Sequence, residues 1–277
     1  MVILPNFEHL YFMKNKTIQQ EFKDLLKCHS FSTHRYLLAI SGGVDSMVLL
    51  ELFRQTSANF QVAHCNFQLR GNDALGDEHF VQDYCGKYNI PFYSIRFDVE
   101  AYQKTGNYSV EMACRNLRYN WFEEIQQLNQ LDSLVTAHHL DDNIETFLIN
   151  LARGTGLKGL IGMQVDNGKI FRPLLNFTKN DLLKFAQKNE LQWREDYTNA
   201  TDDYLRNKIR HHISPVLKTL HPQFDTNFLA SLNHIKDNYQ IVQDRIDEIR
   251  IDLFSGVNPI KIEIQRLKEL QPLETLL

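Results

Sequence analysis

Arg35-Tyr36-Leu37-Leu38-Ala39-Ile40-Ser41-Gly42-Gly43-Val44-Asp45-Ser46-Met47-Val48-Leu49-Leu50-Glu51-Leu52-Phe53-Arg54 is the stretch that decides the architecture. The short apolar run Arg35–Ile40 entering a glycine pair reads as a buried strand, and Ser46–Arg54 reads as a helix. Two glycines let the backbone turn tightly and approach an anion. The helix that follows offers unpaired first-turn N–H groups and the positive end of its dipole to a phosphate. Ser41 and Ser46 add hydroxyl donors. Asp45 would repel a bare phosphate, but it fits if Mg²⁺ sits between carboxylate and phosphates. The bland alternative is a glycine-rich strand-to-helix turn with a serine cap. The spacing is not that of a Walker A loop, because G-x-x-x-x-G-K-[ST] is absent.

Working outward, Phe60–Cys65, Pro91–Phe97 and Ser133–Ala137 read as further strands. Thr17–Lys27, Asp73–Tyr88, Ser109–Leu128 and Asp141–Leu151 read as helices, the first opened by a Thr17/Gln20 capping box. This alternation predicts an α/β fold with a mostly parallel, doubly wound sheet. Ligands in such sheets bind beyond the carboxyl ends of the strands. Gly42–Ser46, His64–Arg70 and His138–Glu145 all fall there. After Gly162 the pattern changes. Asn167-Gly168 is expected to form a hairpin turn, and Thr178–Glu190 a capped amphipathic helix. From about Asp203 polar-rich helices are expected to about Ile251. With a boundary near Ser214-Pro215, residues 1–214 form the expected catalytic domain and 215–277 a smaller α-helical domain.

The chain has 277 residues, 43% hydrophobic and 23% charged, which is ordinary for a globular protein. The formal net charge of −4 means that a nucleic-acid partner would need a local basic patch. Cys28, Cys65, Cys85 and Cys114 form no C-x-x-C pair, which argues against a zinc site or redox pair. Met1–Tyr11 lacks a basic segment and does not read as a signal peptide. No apolar run is long enough to span a bilayer, and a cytoplasmic protein is expected.

Three further clusters carry chemistry. In His138-His139-Leu140-Asp141-Asp142-Asn143-Ile144-Glu145, Asp142 and Glu145 share one helix face and suit an ammonium group or a metal. Acidic capping of a helix start is the alternative. Arg115 and Arg118 also share a helix face, where either could reach a phosphate or remain solvated. Arg153-Gly154-Thr155-Gly156 is a second glycine-rich stretch, or a plain loop with a C-cap glycine. Arg206, Lys208 and Arg210 form a small basic patch suited to a nucleic-acid backbone, or a solvated helix face.

The hexapeptide Ser41–Ser46 resembles the PP-loop of the ATP pyrophosphatases. Several more stretches occur in the order found in the tRNA(Ile)-lysidine synthetase family. They are Val62–Gly71, Glu111–Tyr119, His138–Thr146 with Leu151–Leu160, Phe171–Leu175, Asp196–Asn199 and Tyr204–Arg210. The resemblance covers about Arg35–Leu217. It implies that ATP adenylates the wobble cytidine of a tRNA(Ile) with a CAU anticodon, after which free L-lysine attacks and AMP leaves. It implies Ser41, Gly42, Gly43, Val44, Asp45, Ser46, His64, Arg153 and Gly154 as the ATP and pyrophosphate site, with Mg²⁺ on Asp45. It implies Asp45, Arg115, Asp142 and Glu145 as catalytic, and Asp142 and Glu145 as the lysine site. His138 and Asp141 are weaker candidates for that pocket, and Arg206, Lys208 and Arg210 would contact the tRNA. One departure is visible: Phe67 stands where the family usually has a second histidine. The family also carries further C-terminal domains, and here little follows the helical segment, so the chain is expected to be part of something longer. Residues 1–13 are expected to be a non-native extension, Met13 being the better start. The oligomeric state stays open, a homodimer included. The nearest rival is a PP-loop tRNA thiolase of the two-thiocytidine type, which would use cysteines as sulfur carriers. GMP synthetase, or an inactive nucleotide-binding module docking on RNA, are the others.

Overall fold

A computed structural model of the chain describes residues 17–28, 33–195, 205–255, 261–262 and 264–269. The motif Asp196–Asn199, Tyr204 and the start of the chain lie outside these residues. The elements run α1 (Ile18–Cys28), β1 (Arg35–Ala39), α2 (Val44–Arg54), β2 (Asn59–Asn66), α3 (Asn72–Lys87), β3 (Phe92–Arg96), α4 (Val99–Gln103), α5 (Val110–Asn129), β4 (Ser133–Val135), α6 (Leu140–Arg153), α7 (Leu157–Leu160), β5 (Ile170–Phe171) and α8 (Lys179–Lys188). Then come α9 (Leu205–Lys208), a π-helical turn (Ile209–Ile213), α10 (Ser214–Leu220), α11 (Phe224–Leu253), β6 (Phe254–Ser255), β7 (Lys261–Ile262) and α12 (Ile264–Glu269).

The main sheet has the order β3-β2-β1-β4-β5, and every pairing is parallel. A central parallel strand is covered on both faces, which is why β1 reads as an unbroken apolar run. Its side chains alternate between two cores. Tyr36 and Leu38 pack on one face with α1, α2, α3 and α8, whereas Leu37 packs on the other with Phe122 and Ile125 of α5. Helix α2 is buried nearly all round, as expected of a helix inside a doubly wound fold. Phe53 stands edge-on to Phe22 and Tyr36, with ring centroids 5.2 and 5.3 Å away.

Local sequence chemistry sets several boundaries. Ser109 accepts from the Met112 N–H and caps α5. Thr178 and Asp181 form a reciprocal capping box that opens α8. The turn at Asn167-Gly168 exists, with the Asn167 side chain accepting from the N–H groups of Lys169 and Ile170. It is not the turn of a full hairpin, however. One antiparallel bridge joins Asp166 to Phe171, and Ile170–Phe171 instead runs parallel beside β4. A two-residue strand is too short to carry a periodicity, so the sequence showed only the turn.

Sheet order positions the site. Strands β1, β2 and β3 build outward in one direction, and β4 starts again on the other side of β1. The winding therefore reverses between β1 and β4, and the crevice at such a reversal is where these folds bind ligands. The two loops that border it are Ile40–Gly43 after β1 and Thr136–His139 after β4.

The chain groups into two compact units. One comprises the described residues to Glu145 and Met163–Pro215, and the other Thr146–Gly162 and the described residues from Val216. The second unit is α-helical apart from the β6–β7 pair. In it the Phe147 ring stands edge-on to Phe228 at 5.4 Å, and Asn150 donates to the Gly159 carbonyl at 2.9 Å. Among the described residues no helix is long and apolar enough to cross a membrane.

Candidate active site

Gly42 has φ +95°, a conformation open to glycine and strained for other residues. Around it the loop wraps on one hydroxyl. Ser46 Oγ accepts from the N–H groups of Ser41 at 3.2 Å and Gly42 at 3.1 Å, and donates to the Gly43 carbonyl at 2.8 Å. Ser41 Oγ lies 3.2 Å from the same hydroxyl. Gly43 caps α2 without a side chain of its own. The first-turn N–H groups of α2, from Val44 to Ser46, have no acceptor within the helix, an arrangement suited to an anion.

Asp45 projects from that first turn. Lys179 donates to its two oxygens at 2.7 and 2.8 Å, and His139 Nε2 lies 3.6 Å away. Burial favours the neutral acid, but His139 and Lys179 outweigh it and hold the Asp45 carboxyl below its usual range. His139 is a hub. Its Nε2 is 3.6 Å from Asp142 as well as from Asp45, and its Nδ1 is 3.6 Å from Asp141. The ring is 5% exposed. Burial disfavours the imidazolium, yet the three carboxylates raise its pKa above the ordinary value.

The acidic helix start combines both readings available from its spacing. Asp142 accepts from the His139 N–H at 3.0 Å, an ordinary capping contact. Glu145 is 1% exposed, and Arg210 Nε and Nη2 donate to its two oxygens at 2.6 and 3.0 Å. Arg210 also reaches Asp142 at 3.3 Å, and Arg206 Nε lies 3.1 Å from Glu145. Burial raises the Glu145 carboxyl above its usual value, and Arg210 opposes the shift without cancelling it. Arg206 and Arg210 thus turn inward onto carboxylates, while Lys208 is exposed. Arg210 sits in the π-helical turn, a local widening common at functional positions.

A cavity of about 590 Å³ opens beside the loop. Ser41, His64, Cys65, Phe67, Cys114 and Arg118 are among its lining residues. His64 is buried and bonded through Nδ1 to the Ile40 carbonyl at 2.9 Å. A carbonyl only accepts, so the neutral ring keeps Nε2 as an acceptor. Burial lowers its pKa. Arg118, not Arg115, reaches this wall, stacking over Phe67 at 5.1 Å. Arg115 lies exposed against Tyr119 on the same helix. The aromatic ring that replaces the family's histidine therefore serves as a platform for a guanidinium. Arg153 and Gly154 lie exposed in the second unit, where Gly154, with φ +73°, ends α6.

Sequence reading missed Lys179, Arg194 and the hub role of His139. Arg194 donates to Asp77, which also accepts from Arg70 at 2.8 Å, and the Arg194 N–H donates to the Gly42 carbonyl at 3.0 Å. Nothing local in the sequence marks Lys179 or Arg194; for His139 the one local signal is the neighbouring pair Asp141 and Asp142.

A glycine-rich loop at the switch point of a five-stranded parallel sheet has a counterpart among known families. A profile described as PP-loop domain matches residues 14–217, and the chain belongs to that family. Curated proteins named tRNA(Ile)-lysidine synthase are similar to it. That of Bacteroides thetaiotaomicron is 38% identical over 233 residues, covering 84% of this chain and 54% of the relative. That of Chlorobaculum tepidum is 40% identical over 215 residues, covering 76% and 64%. That of Bacillus subtilis is 36% identical over 251 residues, covering 87% and 53%. The chain thus spans about half to two thirds of the length of these relatives. Among solved structures, the U34-tRNA thiolase NcsA of Methanococcus maripaludis has a TM-score of 0.64 at 17% identity, covering 83% of this chain and 80% of its own. That likeness is one of fold.

Proposed function

We propose that this chain carries the catalytic part of a tRNA(Ile)-lysidine synthetase. It would use ATP to join L-lysine to carbon 2 of the wobble cytidine in a CAU-anticodon tRNA(Ile), working in the cytoplasm. The observation that supports this most is the shared imidazole. His139 Nε2 lies 3.6 Å from both Asp45, on the phosphate loop, and Asp142, on the amine-binding helix. The nucleotide and amine chemistries are thereby adjacent.

In this reading the cytidine O2 attacks the α-phosphorus of ATP and pyrophosphate leaves. The first-turn N–H groups of α2, from Val44 to Ser46, would cradle the leaving group, while Ser46 Oγ holds the Ser41 and Gly42 N–H groups and so keeps the loop in shape. The residues present fit Mg²⁺, since Asp45 offers a hard carboxylate oxygen beside a phosphate cradle, and Mg²⁺ commonly takes one or two carboxylates plus phosphate oxygens. Bound there, the ion would neutralise charge on the departing pyrophosphate. The 590 Å³ cavity has the size to receive a nucleoside, with His64 Nε2 as an acceptor and Arg118 on its wall.

In the second step the lysine ε-amine attacks carbon 2 and AMP leaves. The amine arrives as an ammonium with a pKa of about 10.4 and must lose a proton first. Asp142 and Glu145 would hold it, the ammonium displacing Arg210, and Glu145 suits proton removal because burial raises its carboxyl. His138, pushed down to about 4 chiefly by burial, adds no positive charge to repel the ammonium. Arg115 and Lys208, both exposed, would meet the tRNA in this reading.

The thiolase reading is less well supported. Burial pushes the Cys65 thiol up to about 12 and raises Cys114 also, which opposes the thiolate a sulfur carrier needs. Incubating the protein with a CAU-anticodon tRNA, ATP and lysine, then weighing the nucleosides, tests the proposal. A lysine-sized gain on one cytidine is expected. Sulfur incorporation, or no change with active protein, refutes it.

A further inference from the structure

Lys179 is the first residue of α8, and its ammonium closes on both Asp45 oxygens, at 2.7 and 2.8 Å. The pair borders a cavity of about 380 Å³ that also touches Ser41, Gly43, Arg70 and Arg194. Three cationic side chains therefore face the loop. Arg70 and Arg194 both hold Asp77, while Lys179 holds Asp45 from a different element.

The two ends of Lys179 are anchored differently. Its backbone N–H donates to Asp141 at 2.8 Å, and the Thr178/Asp181 capping box locks the same helix end. The side chain is a flexible four-carbon stem carrying a compact charge. Nζ can swing while α8 stays in place. With the ammonium on Asp45, a divalent ion on either oxygen would lie against a like charge. A triphosphate adds several negative charges within reach of the same ammonium and reverses that preference.

We propose that Lys179 is an exchangeable counter-ion: it denies Asp45 to a bare divalent cation and moves onto the phosphates when metal and nucleotide arrive together. This rests on the reading of Asp45 as the metal ligand of an ATP site. It makes Lys179 a phosphate-binding residue, and makes divalent-ion binding conditional on nucleotide.

Titration of the full chain with Mn²⁺, followed by electron paramagnetic resonance, tests this with and without α,β-methylene-ATP. Wild-type protein should take up Mn²⁺ weakly alone and much more tightly with the analogue. Lys179→Met should bind Mn²⁺ alone about tenfold more tightly, and the Mn²⁺–analogue pair about tenfold more weakly. Adding Asp45→Asn should abolish the gain. Lys179→Arg should behave as wild type in both titrations, and Lys179→Gln should reproduce Lys179→Met, showing that the effect comes from the lost charge and not from methionine perturbing α8. Unchanged Mn²⁺ affinity in both uncharged variants overturns the proposal, as does weakening of both affinities together, which marks a merely structural ion pair. The titrations contain neither tRNA nor lysine, so a failure of the lysidine reading would leave them interpretable.

Discussion

The guanidinium of Arg210 meets the carboxylate of Glu145 in a two-point hydrogen bond, at 2.6 and 3.0 Å, across 65 residues of sequence. Glu145→Gln keeps the shape and removes the charge. Pyrophosphate release with ATP and tRNA should persist, while lysine use should fall about 10- to 150-fold, the worth of a hydrogen bond to a charged group. Stability should change little, because burial already disfavours the ionised carboxylate and both arginines are more than one-third solvent-exposed and can hydrate. Normal lysine use would show that the amine binds elsewhere.

Asp45→Asn removes the carboxylate that faces the loop. Pyrophosphate release should fall to background at ordinary Mg²⁺ concentrations, with the fold intact by circular dichroism. Retained turnover in a coupled pyrophosphate assay would rule out the metal role.

Gly42→Ala tests the loop conformation. An added Cβ would meet Val81 at 3.5 Å, an ordinary contact, so the penalty comes from φ +95° and not from crowding. A loss of about 1–3 kcal/mol in urea denaturation is expected, together with weaker ATP binding. An unaffected variant would mean that the loop tolerates a side chain in this conformation.

His139→Gln tests the imidazole among three carboxylates. The raised pKa means that the ring's ionic stabilisation is complete below its ordinary value of 6.5, while the carboxylates remain ionised. It is lost as pH rises through the higher folded value. The gap in melting temperature between wild type and variant should therefore be widest in mildly acidic buffer and narrow in alkaline buffer. A constant gap across that range would show that His139 stays neutral.

Arg118→Ala and Arg115→Ala separate two neighbours on α5. Arg118 lines the cavity and stacks on Phe67, so its loss should raise the KM for ATP or tRNA in the pyrophosphate assay. Arg115 lies exposed on Tyr119, and its loss should act through tRNA and leave ATP affinity unchanged. Equal effects on ATP would return Arg115 to the cavity.

What the sequence determined by itself was local or periodic. The apolar run of β1, the glycine pair, the Ser109 and Thr178 caps and the alternation of strands and helices follow from backbone sterics and side-chain period, which act over a few residues. They located the phosphate loop and the acidic helix start. Tertiary structure alone decided what those residues face. Lys179 lies 134 positions from Asp45, and Arg210, in a basic stretch that suits a nucleic-acid backbone, bonds Glu145 across 65. Ion pairs of this kind depend on which elements the sheet order brings to one end. A side chain carries no trace in its own neighbourhood of the partner it meets there.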